Sequence, residues 1–155
     1  MALSVADALA PLCAKVVIEA PVGAGYEGLG LPLIHAAPAH ASKGPLAGMA
    51  AGLRAARTGS WVAFVPCDMP LLATADLRAL FQEGVNVYAA SPRGPEPLVA
   101  LLGTEMLQPL LETLMRDEVP RTHAALDAAG ARAVAFDDAA PFANVNTPDD
   151  LARLE

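Results

Sequence analysis

Asp68 stands between two prolines, in Pro66-Cys67-Asp68-Met69-Pro70, directly after the apolar run Trp61 to Val65. A carboxylate just past the carboxyl end of a buried strand is where Mg2+ and a nucleotide phosphate would meet. Its common alternative is an aspartate that closes a turn. Upstream, Gly44-Pro45-Leu46-Ala47-Gly48 opens a helix with proline at its first position. Gly44 can bring backbone close to a ligand, and the free N–H groups of a helix start suit an anion. Gly48 and Gly52 strip side chains from one helical face, which equally suits close packing on a sheet. Asn144 and Asn146, two apart in an extended segment, point the same way. Their amides suit an uncharged polar edge or a phosphate, or else shape the turn before the next helix. Arg121, just after Pro120, can reach a phosphate or remain a solvated surface arginine.

Other patterns carry less. Gly23-Ala24-Gly25-Tyr26-Glu27-Gly28 has the spacing of a dinucleotide fingerprint, but Gly30 and Pro32 break the helix that the fingerprint needs. It reads as a loop. His35, His40 and His123 lack metal-ligand spacing. No serine sits in a nucleophile-elbow pattern, so covalent catalysis has no support. Cys13 and Cys67 read as buried thiols and not as a disulfide framework.

These residues must be positioned by a chain of 155 residues, the length of one domain. Net charge is -7, which argues against nucleic acid as a partner. One phosphorylated ligand remains compatible, because a divalent cation offsets local charge. No apolar run reaches the ~18 residues of a membrane span, and no secretory signal opens the chain. The expected setting is the cytoplasm.

Apolar runs predict strands at 15–20, 31–36, 61–65, 85–90, 98–102 and 132–136. Helices are expected over 3–13, 45–57, 74–82 (capped by Thr74), 104–116 and 120–130. A terminal helix should begin at Thr147-Pro148-Asp149-Asp150, where a threonine cap precedes proline and two acids. The alternation implies an α/β domain with a largely parallel sheet covered on both faces. Ligands in such sheets sit at the carboxyl ends of the strands.

GPLAG, then PCDMP after a hydrophobic strand, then NVNTPDDL, together with Glu96 to Leu101, resemble the molybdenum cofactor guanylyltransferases. The motifs occur in family order and the resemblance covers nearly the whole chain. It implies a three-layer, Rossmann-like nucleotidyltransferase fold. It implies transfer of GMP from GTP to the molybdopterin cofactor, giving the guanine dinucleotide form and pyrophosphate, with Mg2+. By resemblance, Asp68 is the catalytic Mg2+ ligand at the nucleotide phosphates. Gly44, Pro45, Leu46, Ala47 and Gly48 lie on the nucleotide side, and Arg121, Asn144 and Asn146 on the pterin side. Cofactor-assembly proteins or molybdoenzymes would be contacts, with neither nucleic acid nor membrane as partner.

The family opens with a strand and a loop of the type LAGGxSxRMGxDK that holds the triphosphate, and neither is in this sequence. An aspartate that the family carries shortly before GPLAG is also replaced, by His35-Ala36-Ala37. The expectation is a fold without its first strand and glycine-rich loop, and a chain impaired on its own. A late start or a fragment is favoured over a degenerate homologue or a strand supplied by a partner. Two other readings stay open: a non-catalytic module that binds and delivers pterin, and a nucleotidyltransferase for another phosphorylated acceptor such as a sugar phosphate.

Overall fold

A computed structural model of the chain describes residues 1–152. Six strands and six helices lie along it. The strands are β1 (Ile18–Glu19), β2 (Leu33–Ile34), β3 (Trp61–Phe64), β4 (Val87–Ser91), β5 (Gly94–Gly103) and β6 (Arg132–Ala135). The helices are α1 (Ala2–Leu9), α2 (Pro45–Ala55), α3 (Thr74–Phe81), α4 (Leu107–Leu114), α5 (Thr122–Ala128) and α6 (Pro148–Ala152). The last is the helix expected after Thr147; residues 153–155 lie outside the described residues. Among these elements β1 and β2, β4 and β5, and α4 and α5 are each consecutive.

The main sheet has the order β3-β5-β4-β6. β3 and β4 are each antiparallel to β5, and β6 is parallel to β4. β3, β4 and β6 therefore share one direction, as expected, and β5 alone runs against them. The tight turn between Ser91 and Gly94 makes β4 and β5 a hairpin, which antiparallel pairing allows. Tyr88 pairs with Ala100 while Ala89 pairs with Glu96, so Pro97, Leu98 and Val99 bulge out of the ladder. Pro97 has no N–H to give, which explains why the ladder slips there.

The single sheet that the alternation predicts is divided. β1 and β2 pair only with each other, in parallel, Ile18 with Leu33 and Glu19 with Ile34. The expected strands at 15–20 and 31–36 thus contribute two residues each. Pro21 and Pro32 flank them and have no N–H to donate, so the Pro32 carbonyl, accepting from the Ile18 N–H, is the ladder's last contribution at that end. Helix α2 packs against β1, β2 and β3, so it lies across both sheets.

Two cores cover the two faces of the sheet. On one, α2, α4 and α5 bury Leu46, Leu53, Leu110, Leu114 and Leu126 against Ala100 and Leu102. On the other, α1 and α3 bury Val5, Leu77 and Leu80 with Phe142 against Val87, Val99 and Leu101. That is a three-layer arrangement. The close-packing reading of the small-residue face on α2 is met at Gly52, where a Cβ would stand 2.7 Å from the Phe64 ring.

The helix ends refine the sequence expectations. Thr74 does not cap α3. Its hydroxyl donates to the Ala8 carbonyl at 2.8 Å and ties α3 to α1, while Asp76 accepts from the Ala73 N–H at 2.9 Å. The stretch from Thr104 starts as a 3-10 turn and becomes helical only at Leu107. At the start of α6, Thr147 Oγ1 accepts from the Asp150 N–H at 3.1 Å, and Asp150 accepts from the Thr147 N–H at 3.0 Å. This is the reciprocal capping box that the sequence announces.

Candidate active site

The shared direction of β3, β4 and β6 puts their carboxyl ends on one edge of the sheet, where α/β folds bind ligands. Asp68 is four residues beyond the last residue of β3, half-buried in the turn between its flanking prolines. Its main-chain carbonyl accepts a hydrogen bond from the Val145 N–H at 2.7 Å. The PCDMP and NVNTP segments, far apart in sequence, therefore touch. Val145 is buried while Asn144 and Asn146 on either side of it are exposed. The alternation expected of an extended segment holds, and both amides are left at the surface beside Asp68.

An open groove of about 410 Å3 runs past Asp68. Met1 and Ala2 at the start of α1, Gly25 and Tyr26 of the loop after β1, and Cys67 line it with Asp68. Among the described residues, no donor lies within hydrogen-bonding distance of the Asp68 carboxylate. The Cys67 thiol is pushed up, first by burial and next by the negative charge of Asp68. The amino group of Met1 opposes the shift and Glu19 adds to it. A thiol pushed up in this way is a weaker nucleophile at neutral pH.

Gly44 holds φ +77° as the residue before α2, a conformation that favours glycine. Gly44 and Pro45 are exposed at this helix start, whereas Leu46 and Ala47 are buried in the core. Of the GPLAG residues, Leu46 and Ala47 thus pack, and Gly44 and Pro45 face outward. Gly48 is half-buried, and a Cβ there would meet the Glu19 carboxylate at 2.5 Å. The loop before α2 is anchored by Lys43, whose Nζ donates to the Leu114 carbonyl at 2.5 Å. A cation there satisfies the last carbonyls of α4.

Glu19 is a residue that the sequence reading passed over. It brings a second carboxylate toward the site, over Gly48 and close enough to act on the Cys67 thiol. The signal was present: Glu19 ends an apolar run just as Asp68 follows one. Arg121 is different. It is the exposed residue before α5, and among the described residues it forms no hydrogen bond or ion pair with Asp68, Asn144 or Asn146. Nor do the described residues include three His, Cys, Asp or Glu side chains grouped closely enough to hold a metal ion by themselves.

Residues 1–136 match the MobA-like NTP transferase domain. The chain belongs to that family. The molybdenum cofactor guanylyltransferase of Serratia proteamaculans is 41% identical over 136 residues, covering 85% of this chain and 68% of the relative. That of Rhodobacter capsulatus is 35% identical over 155 residues, covering 96% and 77%. Among solved structures, molybdopterin-guanine dinucleotide biosynthesis protein A of Archaeoglobus fulgidus superposes with a TM-score of 0.64 at 25% identity. It covers 81% of this chain and 67% of that one. A protein of Aquifex aeolicus reaches 0.79 over 94% of this chain and 79% of that one, at 17% identity, and shares the fold. The three-layer architecture is thus that of MobA-like nucleotidyltransferases. Among the described residues no helix is long and apolar enough to cross a membrane.

Proposed function

We propose that this chain is a molybdenum cofactor guanylyltransferase, moving GMP from GTP to the terminal phosphate of molybdopterin. One observation carries the reading within the molecule: the 2.7 Å bond from Val145 N–H to the Asp68 carbonyl. It joins a carboxylate suited to a nucleotide's metal with two amides suited to a polar acceptor, at one strand edge. The names of the relatives supply the nucleotide and the acceptor.

In the reaction, a phosphate oxygen of the acceptor attacks the α-phosphorus of GTP. A new P–O bond forms there. The bond from the α-phosphorus to the oxygen bridging to the β-phosphorus breaks, and pyrophosphate leaves with the electron pair. No protein atom is covalently involved. The chain's task is to hold two polyanions in line and offset their charge.

The Asp68 carboxylate fits Mg2+: it is a hard oxygen donor, half-buried, beside a groove, with no donor competing for it among the described residues. Mg2+ is commonly held by one or two carboxylates with the remaining ligands from phosphates and water, so the absence of a three-residue cluster is compatible. When bound, Mg2+ would neutralise developing charge on the phosphates. Gly44 and Pro45 at the start of α2 lie on the nucleotide side in this reading, with Leu46, Ala47 and Gly48 packing that helix into place. Asn144 and Asn146 orient the acceptor, and Arg121 attracts its phosphate from the α4–α5 connection. The product is handed on in the cytoplasm, to cofactor-assembly proteins or molybdoenzymes.

Calorimetric titration tests the reading. GTP with Mg2+ binds the wild-type chain, and Asp68→Asn weakens that binding about tenfold or more, as loss of a charged ligand should. Equal binding of GTP by both proteins removes Asp68 from the metal site.

A further inference from the structure

The turn of the β4–β5 hairpin contains an arginine that the reaction above does not use. Arg93 Nη2 donates to the Phe142 carbonyl at 2.8 Å and to the Ala139 carbonyl at 3.2 Å. Both carbonyls belong to the 3-10 turn that leads directly into Asn144. We propose that Arg93 is a positioning residue for the acceptor side of the site: it clamps the 139–143 turn so that Asn144 and Asn146 present their amides at a fixed place beside Asp68. The functional part of this inference rests on the guanylyltransferase reading.

The hairpin is built to hold this arginine. The Ser91 hydroxyl oxygen accepts from the Arg93 N–H at 3.2 Å, and the same hydroxyl donates to the Glu96 carboxylate at 2.9 Å. Ser91 is buried at 8% exposure, one of only two polar residues among the buried ones described. Gly94 follows at φ +129°, which completes the turn. The Arg93 head thus has a defined origin on the most extensively paired strands of the fold.

The segment it holds is pinned at three points. Phe142 is buried at 1% exposure and meets Phe136 edge to face, centroids 5.0 Å apart. Arg93 takes the carbonyl of that same residue. Three residues on, Val145 N–H reaches the Asp68 carbonyl. Asn144 lies between the arginine pin and the Asp68 pin, and Asn146 lies one residue past the second. Carbonyl bonds to a guanidinium are charge-assisted and directional, so a single side chain restrains the backbone at two points. Without it, the segment keeps the buried Phe142 and Val145 and the bond from the Asn146 N–H to Asp150 at 3.2 Å, and the spacing of Asn144 from Asp68 loosens.

The test combines amide hydrogen exchange with ligand titration, on wild type, Arg93→Met and Arg93→Lys. Met keeps the bulk and removes the donors; Lys keeps the charge and offers fewer, differently aimed donors. Exchange of the Val145 amide should speed up about tenfold in Arg93→Met, with Leu101 and Leu102 in the adjoining ladder unchanged. Molybdopterin affinity should fall about tenfold, GTP–Mg2+ affinity should stay within about twofold, and Arg93→Lys should recover part of the loss. Unchanged Val145 exchange overturns the inference, whatever the ligand. Faster Val145 exchange with unaltered molybdopterin binding upholds the clamp and overturns its role at the site. If wild type binds no molybdopterin, the guanylyltransferase reading fails, while the exchange result still decides whether Arg93 holds the segment.

Discussion

The two sheets of this molecule are built to different standards. The four-stranded sheet carries a long hairpin, an inner strand of which Ala100 to Leu102 are nearly inaccessible, and helices on both faces. The ribbon of β1 and β2 has two residue pairs, reinforced by the His35 ring nitrogen at 2.6 Å from the Ala20 carbonyl. Asp68, Arg93 and the Asn144–Asn146 segment stand on the first. Glu19 and the approach to Gly44 stand on the second. Asp68 and the asparagine segment are therefore set on the extensively paired sheet, and Glu19 and the approach to Gly44 rest on a part with little ladder of its own. Isolated two-stranded elements of this length are marginal without packing, and here α2 supplies it.

Hydrogen exchange gives the largest contrast. The Ile18 and Ala20 amides, bonded to Pro32 and Ile34 carbonyls, should exchange roughly a thousandfold or more faster than Leu102, because they open locally and not with the whole fold. Equal protection would mean that the ribbon and the sheet unfold as one unit, and the comparison would break.

Core truncation comes next. Leu102→Ala, at 0% exposure between packed helices, should cost about 3–5 kcal/mol in chemical denaturation. Ile18→Ala, at 5% exposure in the ribbon, should cost about 2 kcal/mol, at the low end for such truncations because a thin element relaxes more freely. A larger cost at Ile18 would reverse the ranking of the two sheets.

Tyr88 sharpens the account of the larger sheet. Its hydroxyl donates to Asp127 at 2.7 Å, joining β4 to α5. Burial, the hydrogen bond to Asp127 and the Asp127 charge push its ionisation up from 10.0 to about 12. The folded value exceeds the unfolded one, so this contribution is complete below about pH 10 and is lost as the pH rises through about 12. Tyr88→Phe should cost about 1 kcal/mol at neutral pH and flatten the fall in stability across that alkaline window. Denaturant midpoints measured at pH 8 and pH 11 check both.

Much of the larger sheet was legible because its strands are uninterrupted apolar runs, Trp61 to Val65 and Leu98 to Leu102 above all. The direction of β5 was not: a hairpin with prolines at 92, 95 and 97 lacks the common two-residue turn signal. The apolar runs at 15–20 and 31–36 looked like full strands, since hydrophobicity records burial and not ladder length. Here the prolines at 21 and 32 shorten the pairing. At the candidate site, the positions of Asp68 past a strand end and of the asparagine pair before a cap could be read from the sequence. The contact between them, a main-chain bond to Val145, has no side-chain signature. Arg93 was hidden for the same reason, because its partners are carbonyls.

Turnover on the purified chain is the most direct test of the central claim. With GTP, Mg2+ and molybdopterin supplied, wild type should form guanine dinucleotide and pyrophosphate in equal amounts, slowly, as expected of a sequence without the triphosphate-holding loop. Asp68→Asn should lower the rate on the order of a hundredfold, the scale of losing about 2.7 kcal/mol of charge stabilisation. Absence of both products from wild type, or an Asp68→Asn rate equal to that of wild type, would contradict the account.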